Sequence, residues 1–161
     1  MQLLAGFIFS FLSTVGFGVI TNVPRRTLLP AGLTGAIAWV VYLLVAQATK
    51  NLILPNLLAA LIIGLLANFA AILVRAPVNL LYIPCLVSLV PGAIIYLSLK
   101  DFTLGFDASA QQNLFKTLTI AMALAVGFVL AEAIFKPLRP TLKHWCQQLS
   151  TRKDDSHDTS N

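Results

Sequence analysis

The residues best placed to meet a ligand lie in one apolar run, Tyr82-Ile83-Pro84-Cys85-Leu86-Val87-Ser88-Leu89-Val90-Pro91-Gly92-Ala93-Ile94-Ile95-Tyr96. Pro84 and Pro91 are seven residues apart, so a helix carries them on nearly one face. Each proline lacks an N–H and displaces the carbonyl four residues back, which frees the carbonyls of Leu80 and Val87. Gly92, directly after Pro91, lets the chain bend sharply or unwind. Freed carbonyls persist at membrane depth only where protein, water or a ligand meets them, and discontinuous helices of this kind line ligand sites in membrane proteins. A kinked packing helix accounts for the same residues. The candidate ligand-contacting set is Pro84, Ser88, Pro91, Gly92 and Tyr96, together with Asn68, an amide in the middle of another apolar run that needs a partner.

Other chemistry is thin. The two histidines, His144 and His157, sit in the polar tail, and no phosphate loop or metal-ligand spacing is present. Glu132 is the single acidic residue inside an apolar run, which leaves no paired-carboxylate site. At i,i+4 from Lys136 it reads as a membrane-edge pair or as an ion site. These absences argue against an enzyme and for a protein without a metal or cofactor. Cys85 in an apolar run and Cys146 in a basic tail are not expected to pair.

The elements that must position these residues follow from the charges. Of 161 residues, 58% are hydrophobic and 11% charged, and the mean hydropathy is +0.85. A soluble domain carries about a quarter charged residues, so an all-α integral membrane protein of one domain remains. Met1–Pro24, Thr27–Thr49, Asn51–Val74 and Ala76–Leu99 are uncharged runs of 23 or 24 residues. Each reaches about 35 Å as a helix, enough to cross a ~30 Å hydrocarbon core. Thr117–Phe135 is a fifth run, broken only by Glu132. A signal peptide is a poor fit to the first run, which has no basic start.

The sequence therefore predicts five transmembrane helices at about 3–21, 28–48, 53–74, 78–99 and 114–135, the fourth broken by Pro and Gly, within a membrane domain of residues 1–136. Residues 100–113 read as a connection skimming the interface, with Asp107 as a cap. Residues 137–149 place Leu138, Leu142, Trp145 and Leu149 at helical spacing among basic residues. That pattern suits an amphipathic helix lying on membrane lipid or docking a partner. Residues 150–161 read as a disordered polar tail. Small residues recur every four positions, as in Ser10-Thr14-Gly18, Ala60-Gly64-Asn68 and Ala123-Gly127-Ala131, a spacing that permits close helix packing. The net charge of +5 reports topology rather than nucleic-acid binding.

Gly16-Phe17-Gly18-Val19-Ile20-Thr21-Asn22-Val23-Pro24-Arg25-Arg26 resembles the F-N-V-P-R-R end of the first helix in the threonine/serine exporter (ThrE) family, with Thr21 where Phe is usual. Arg75-Ala76-Pro77 and the Pro84-to-Tyr96 stretch are similar to the same family, in particular to the small, YjjB-like subunit of its split form. The resemblance covers about residues 5–136. It implies a multi-pass protein of a bacterial inner (plasma) membrane that works with a larger subunit of the same family. It also implies export of a small molecule, threonine, serine or a succinate-like dicarboxylate. The motif residues Asn22, Pro24, Arg25 and Arg26 fall on the cytosolic side of the expected topology. A non-transporting scaffold or assembly subunit is the competing reading of the small-residue faces and basic tail.

Five spans put Arg25, Arg26, Arg75, Lys136, Arg139, Lys143, Arg152 and Lys153 on one side, and Lys50, Lys100 and Lys116 on the other. Eight against three places the C-terminus in the cytoplasm and the N-terminus outside. Cysteines introduced at Arg25, Arg26 or Arg75 should react only with membrane-permeant reagents. Labelling there by an impermeant reagent in intact cells would overturn the five-span topology.

Overall fold

The computed structural model describes the backbone of residues 2–49 and 51–158 and the side chains of 3–49 and 51–137. Among the described residues the chain is all helical: α1 Gln2–Ile20, α2 Arg25–Ala48, α3 Ile53–Val74, α4 Asn79–Leu86, α5 Gly92–Thr103 and α6 Asp107–Asp158. By length and composition, Leu3–Ile20, Arg25–Ala48, Ile53–Val74 and Asp107–Pro137 can each cross a membrane. The outer surface carries exposed Leu4, Phe9, Ile20, Leu73, Phe115 and Val129, the apolar coat of a multi-pass membrane protein rather than of a soluble one.

The fourth run ends later than the sequence reading places it, and the connection after it is shorter. The fourth run is two helices of 8 and 12 residues, each too short to span alone. The interfacial connection expected over 100–113 is instead a tight turn, because α5 continues to Thr103 and α6 begins at Asp107. Gly105, at φ +79, makes that turn possible. Phe106 N–H bonds the Asp101 carbonyl at 2.9 Å, and Gly105 N–H bonds that of Phe102 at 3.2 Å. Asp107 in the first turn of α6 complements the positive end of the helix dipole. At the other end the α6 backbone runs on to Asp158, across the positions where the sequence reading divides an amphipathic helix from a disordered tail. It does so through Pro137 and Pro140, each of which lacks the N–H that a helix interior uses. The side-chain pattern assigned to 137–149 lies outside the described side chains from 138 onward.

Helix α3 is the hub, touching α2, α4 and α6. Its buried face is Ala59, Ala60, Ile63, Gly64, Ala67, Asn68, Ala70 and Ala71, so neighbours approach its backbone closely. Lipid gives helices little hydrophobic reason to associate, and packing of small residues supplies the attraction instead. Gly64 faces Ala131, where a Cβ would lie 2.2 Å from the alanine Cβ. Gly127 faces Leu57 and Ala60, where a Cβ would lie 2.6 Å from the Leu57 carbonyl oxygen. Ile53 and Leu57 line one concave surface with Leu118, Met122 and Val126. Residue numbers rise together along this contact, so α3 and α6 run parallel. The chain must therefore travel from the end of α3 to the start of α6 through α4 and α5.

The α3–α6 contact generates a test. Gly64→Ala should lower stability by about 1–3 kcal/mol through overpacking. Ala131→Gly in the same chain should recover a substantial part. Denaturant unfolding in mixed micelles, run as a double-mutant cycle, reads the coupling. Additive effects would mean the two positions do not meet.

Candidate functional site

The interruption between α4 and α5 is built from local hydrogen bonding. Pro84 sits inside α4, which nonetheless continues to Leu86. The N–H groups of Leu89 and Val90 both bond the Leu86 carbonyl, at 2.9 and 3.0 Å. Pro91 then adopts φ −76°, ψ 51°, and Gly92 N–H bonds the Val90 carbonyl at 2.8 Å. That closes a three-residue inverse γ-turn. Helix α5 restarts at Gly92, with Ile95 N–H on the Pro91 carbonyl at 3.1 Å. Among the described residues, no backbone N–H outside the helices donates to the carbonyls of Val87, Ser88 or Leu89.

Ser88, half-buried, points at the middle of α1. Its Oγ lies 3.1 Å from Ser10 Oγ and 3.4 Å from Thr14 Oγ1. Thr14 donates to the Ser10 carbonyl at 2.8 Å. Ser10 Oγ is also 3.1 Å from the Gly35 carbonyl on α2. A hydroxyl has one proton to give. Ser10 therefore divides its one proton between the Gly35 carbonyl and Ser88 Oγ. When Ser10 turns its proton to Ser88, the Ser88 proton is released to point elsewhere. With that bond made, Ser88 keeps its own proton for Thr14 Oγ1 or for a ligand.

Beside this cluster an open groove of about 390 Å³ is lined by Gly6, Phe9, Ser10, Ser13, Trp39, Val87 and Ser88. Trp39 is held by stacking on Tyr42, centroids 5.2 Å apart. No charged side chain lines the groove. Its polarity comes from three hydroxyls, and its walls are aromatic. Ser10 and Ser13 lie midway along α1, so the groove opens at the mid-depth of the bundle. This suits a small polar molecule with apolar parts.

The sequence-derived candidates separate. Ser88 lines the groove, while Pro91 and Gly92 shape the break beside it. Pro84 is buried against α1 near Gly18. Asn68 does not line the groove: its Nδ2 donates to the Gly64 carbonyl at 2.9 Å and to Tyr82 Oη. Tyr82 in turn meets Phe128 edge-on, so Asn68 ties α3 to α4. Tyr96 is 67% exposed, on a helix that touches only α6. Glu132 and Lys136 are exposed and away from the groove. Cys85 is a free, buried thiol that donates to the Ala31 carbonyl at 3.2 Å. Among the described residues no group of three His, Cys, Asp or Glu could hold a metal ion. Sequence reasoning missed Gly6, Phe9, Ser13 and Trp39 and took Ser10 and Thr14 as packing residues. The signal was there, three hydroxyls within five residues of one apolar run.

The motif Asn22-Val23-Pro24-Arg25-Arg26 is a turn. Asn22 adopts φ +55 just past α1. Its N–H bonds the Val19 carbonyl at 3.1 Å, and Val23 N–H bonds that of Gly18 at 2.9 Å, which satisfies carbonyls orphaned at the helix end. Pro24 stops the helix and starts α2. Thr27 Oγ1 donates back to the Pro24 carbonyl at 2.7 Å. Arg25 and Arg26 are exposed in the first turn of α2. Arg75 repeats the arrangement after α3 at φ +53, with Pro77 two residues on.

The apolar helices, four of them long enough to cross a membrane, are those of a multi-pass membrane protein. The family model described as "Threonine/Serine exporter, ThrE" matches residues 6–134, and the chain belongs to that family. The matched segment holds the groove, the break and both left-handed turns. No curated protein and no solved structure matches the chain.

The turn reading of the motif makes a stability prediction. Asn22→Gly should keep or raise stability, since glycine adopts positive φ freely. Asn22→Val should lower it by about 1–2 kcal/mol. Thermal aggregation midpoints of the purified variants give the comparison. Equal losses for both substitutions would mean the asparagine amide, not its backbone, matters.

Proposed function

We propose that the chain is one subunit of a secondary exporter, completed by a larger subunit of the same family, that moves a small polar metabolite out of the cell. The observation that carries this reading is the hydroxyl-lined groove beside an interrupted helix at mid-depth. Backbone carbonyls without partners are costly in lipid, so a break at that depth suits a ligand path better than a packing kink. The parallel run of α3 and α6 supports counting α4 and α5 together as one further crossing, five in all. The expected orientation is N-terminus outside and C-terminus in the cytoplasm of a bacterial inner membrane.

Substrate choice follows from the lining. Seryl hydroxyls and an indole suit a neutral hydroxy amino acid, threonine or serine. A succinate-like dicarboxylate requires cationic groups, which a second subunit must then bring. Transport is driven by a gradient, since the sequence holds no nucleotide-binding loop.

The test restores each subunit alone, and both together, in cells lacking the pair, and follows efflux of labelled threonine, serine and succinate. Efflux should need both chains. Pro91→Ala with Gly92→Ala restores helix-forming residues at the break. That variant should co-purify with the larger subunit yet export at least tenfold more slowly. Ser88→Ala removes one hydroxyl and should slow export about fivefold. Full export by this chain alone would overturn the two-subunit reading. A double variant that assembles and exports normally would remove the break from the mechanism. Loss of assembly alone would favour the scaffold role.

A further inference from the structure

A second concave surface lies away from the hydroxyl groove, between the start of α3 and the first half of α6. It consists of two adjoining cavities of about 550 and 330 Å³ that share Ile53 and Thr119. The first is a polar mouth, with Asn51, Gln112 and Lys116. The second is an apolar trough, with Leu57, Met122 and Val126. Among the described residues lining either, Lys116 is the single charged one, and no carboxylate is among them. At the junction Thr119 spends its hydroxyl on the Phe115 carbonyl at 2.8 Å, so the trough below the mouth offers no free donor.

We propose that this surface seats one anionic phospholipid, its phosphate at Lys116 and an acyl chain along the trough. Charge complementarity selects the headgroup, because an uncompensated lysine at a bundle edge attracts anionic lipid. Length selects the chain. From Lys116 to Val126, ten residues of α6 rise about 15 Å, half of a ~30 Å hydrocarbon core. The trough therefore runs the depth of one leaflet, and α3 forms its other wall because the two helices are parallel. Met122 at 63% and Leu118 at 62% exposure give it a flexible, apolar rim. A free phosphate ion would leave the trough empty. A protein helix seated here would have to bring its own carboxylate to Lys116.

Native mass spectrometry of the full-length chain from micelles holding equal phosphatidylglycerol and phosphatidylcholine reads the occupancy. One tightly held phosphatidylglycerol is expected, preferred about fivefold. Lys116→Gln should erase the preference and Lys116→Arg should keep it, while Lys100→Gln, outside the groove, should leave it unchanged. Val126→Trp, which fills the trough and leaves the lysine, should release the lipid. Soluble glycerol phosphate should not displace it. Equal occupancy by the two lipids in the wild-type chain would overturn the proposal. So would a preference that survives Lys116→Gln, displacement by glycerol phosphate, or a second protein chain retained in place of lipid.

Discussion

Hydrogen-bond satisfaction in a medium that offers no water governs this molecule. Helix interiors meet the demand for the backbone, and the side chains meet it locally. Thr14, Thr34 and Thr117 donate to carbonyls four residues back on their own helices, and Asn56 and Asn68 do the same through Nδ2. Among the described residues no buried side-chain nitrogen or oxygen is left without a partner. Against that background the open carbonyls of residues 87–89 stand out. The hydroxyl-lined groove adjoins them.

The same medium explains why alanine is so frequent in the core, beside Ile63, Leu81, Leu89, Ile120 and Leu124. With no gain from hiding leucine from lipid, the large side chains go outward and the small ones inward. Ala31, Ala38, Ala60, Ala67 and Ala131 are essentially inaccessible. Close backbone approach lets one helix's hydroxyl reach another's carbonyl, as Ser10 reaches Gly35. A Cβ on Gly35 would lie 2.4 Å from Thr14 Oγ1, so the hydroxyl cluster depends on the absence of that carbon. Packing and site are one arrangement at this contact.

The helical class, the first three helices and the residues around the break were legible in the sequence because uncharged run length and proline chemistry are local properties. The α5–α6 turn was not. Lys100 and Asp101 looked like the end of a span, yet they continue α5, and Asp101 accepts a hydrogen bond from Asn113 across the hairpin at 3.1 Å. Asn68 was legible as a residue needing a partner, but nothing in one sequence distinguishes a neighbouring tyrosine from a ligand. The groove itself was only half legible. Ser88 was marked by the prolines beside it, whereas Ser13 and Trp39 gain meaning only when α1, α2 and the break come together. The Asn-Val-Pro-Arg motif was legible as a family resemblance, and its backbone role became visible only with the positive φ of Asn22.

The two halves of the interrupted helix have different neighbours. Helix α4 packs on α1, α2 and α3, while α5 touches α6 alone, and nothing lies within 4 Å of a Cβ placed on Gly92. The break thus joins two bodies as a pivot joins two levers. Helix α5, 12 residues long, is an arm of about 18 Å. A rotation of about 10° at the pivot would carry its far end by about 3 Å, within the range of ordinary hinge motions. The hairpin bond of Ser98 to the Ala110 carbonyl at 2.8 Å hands any such displacement to the start of α6, at the opposite end of the bundle from the left-handed turns. A small change of angle beside Ser88 is thereby converted into a shift at the surface.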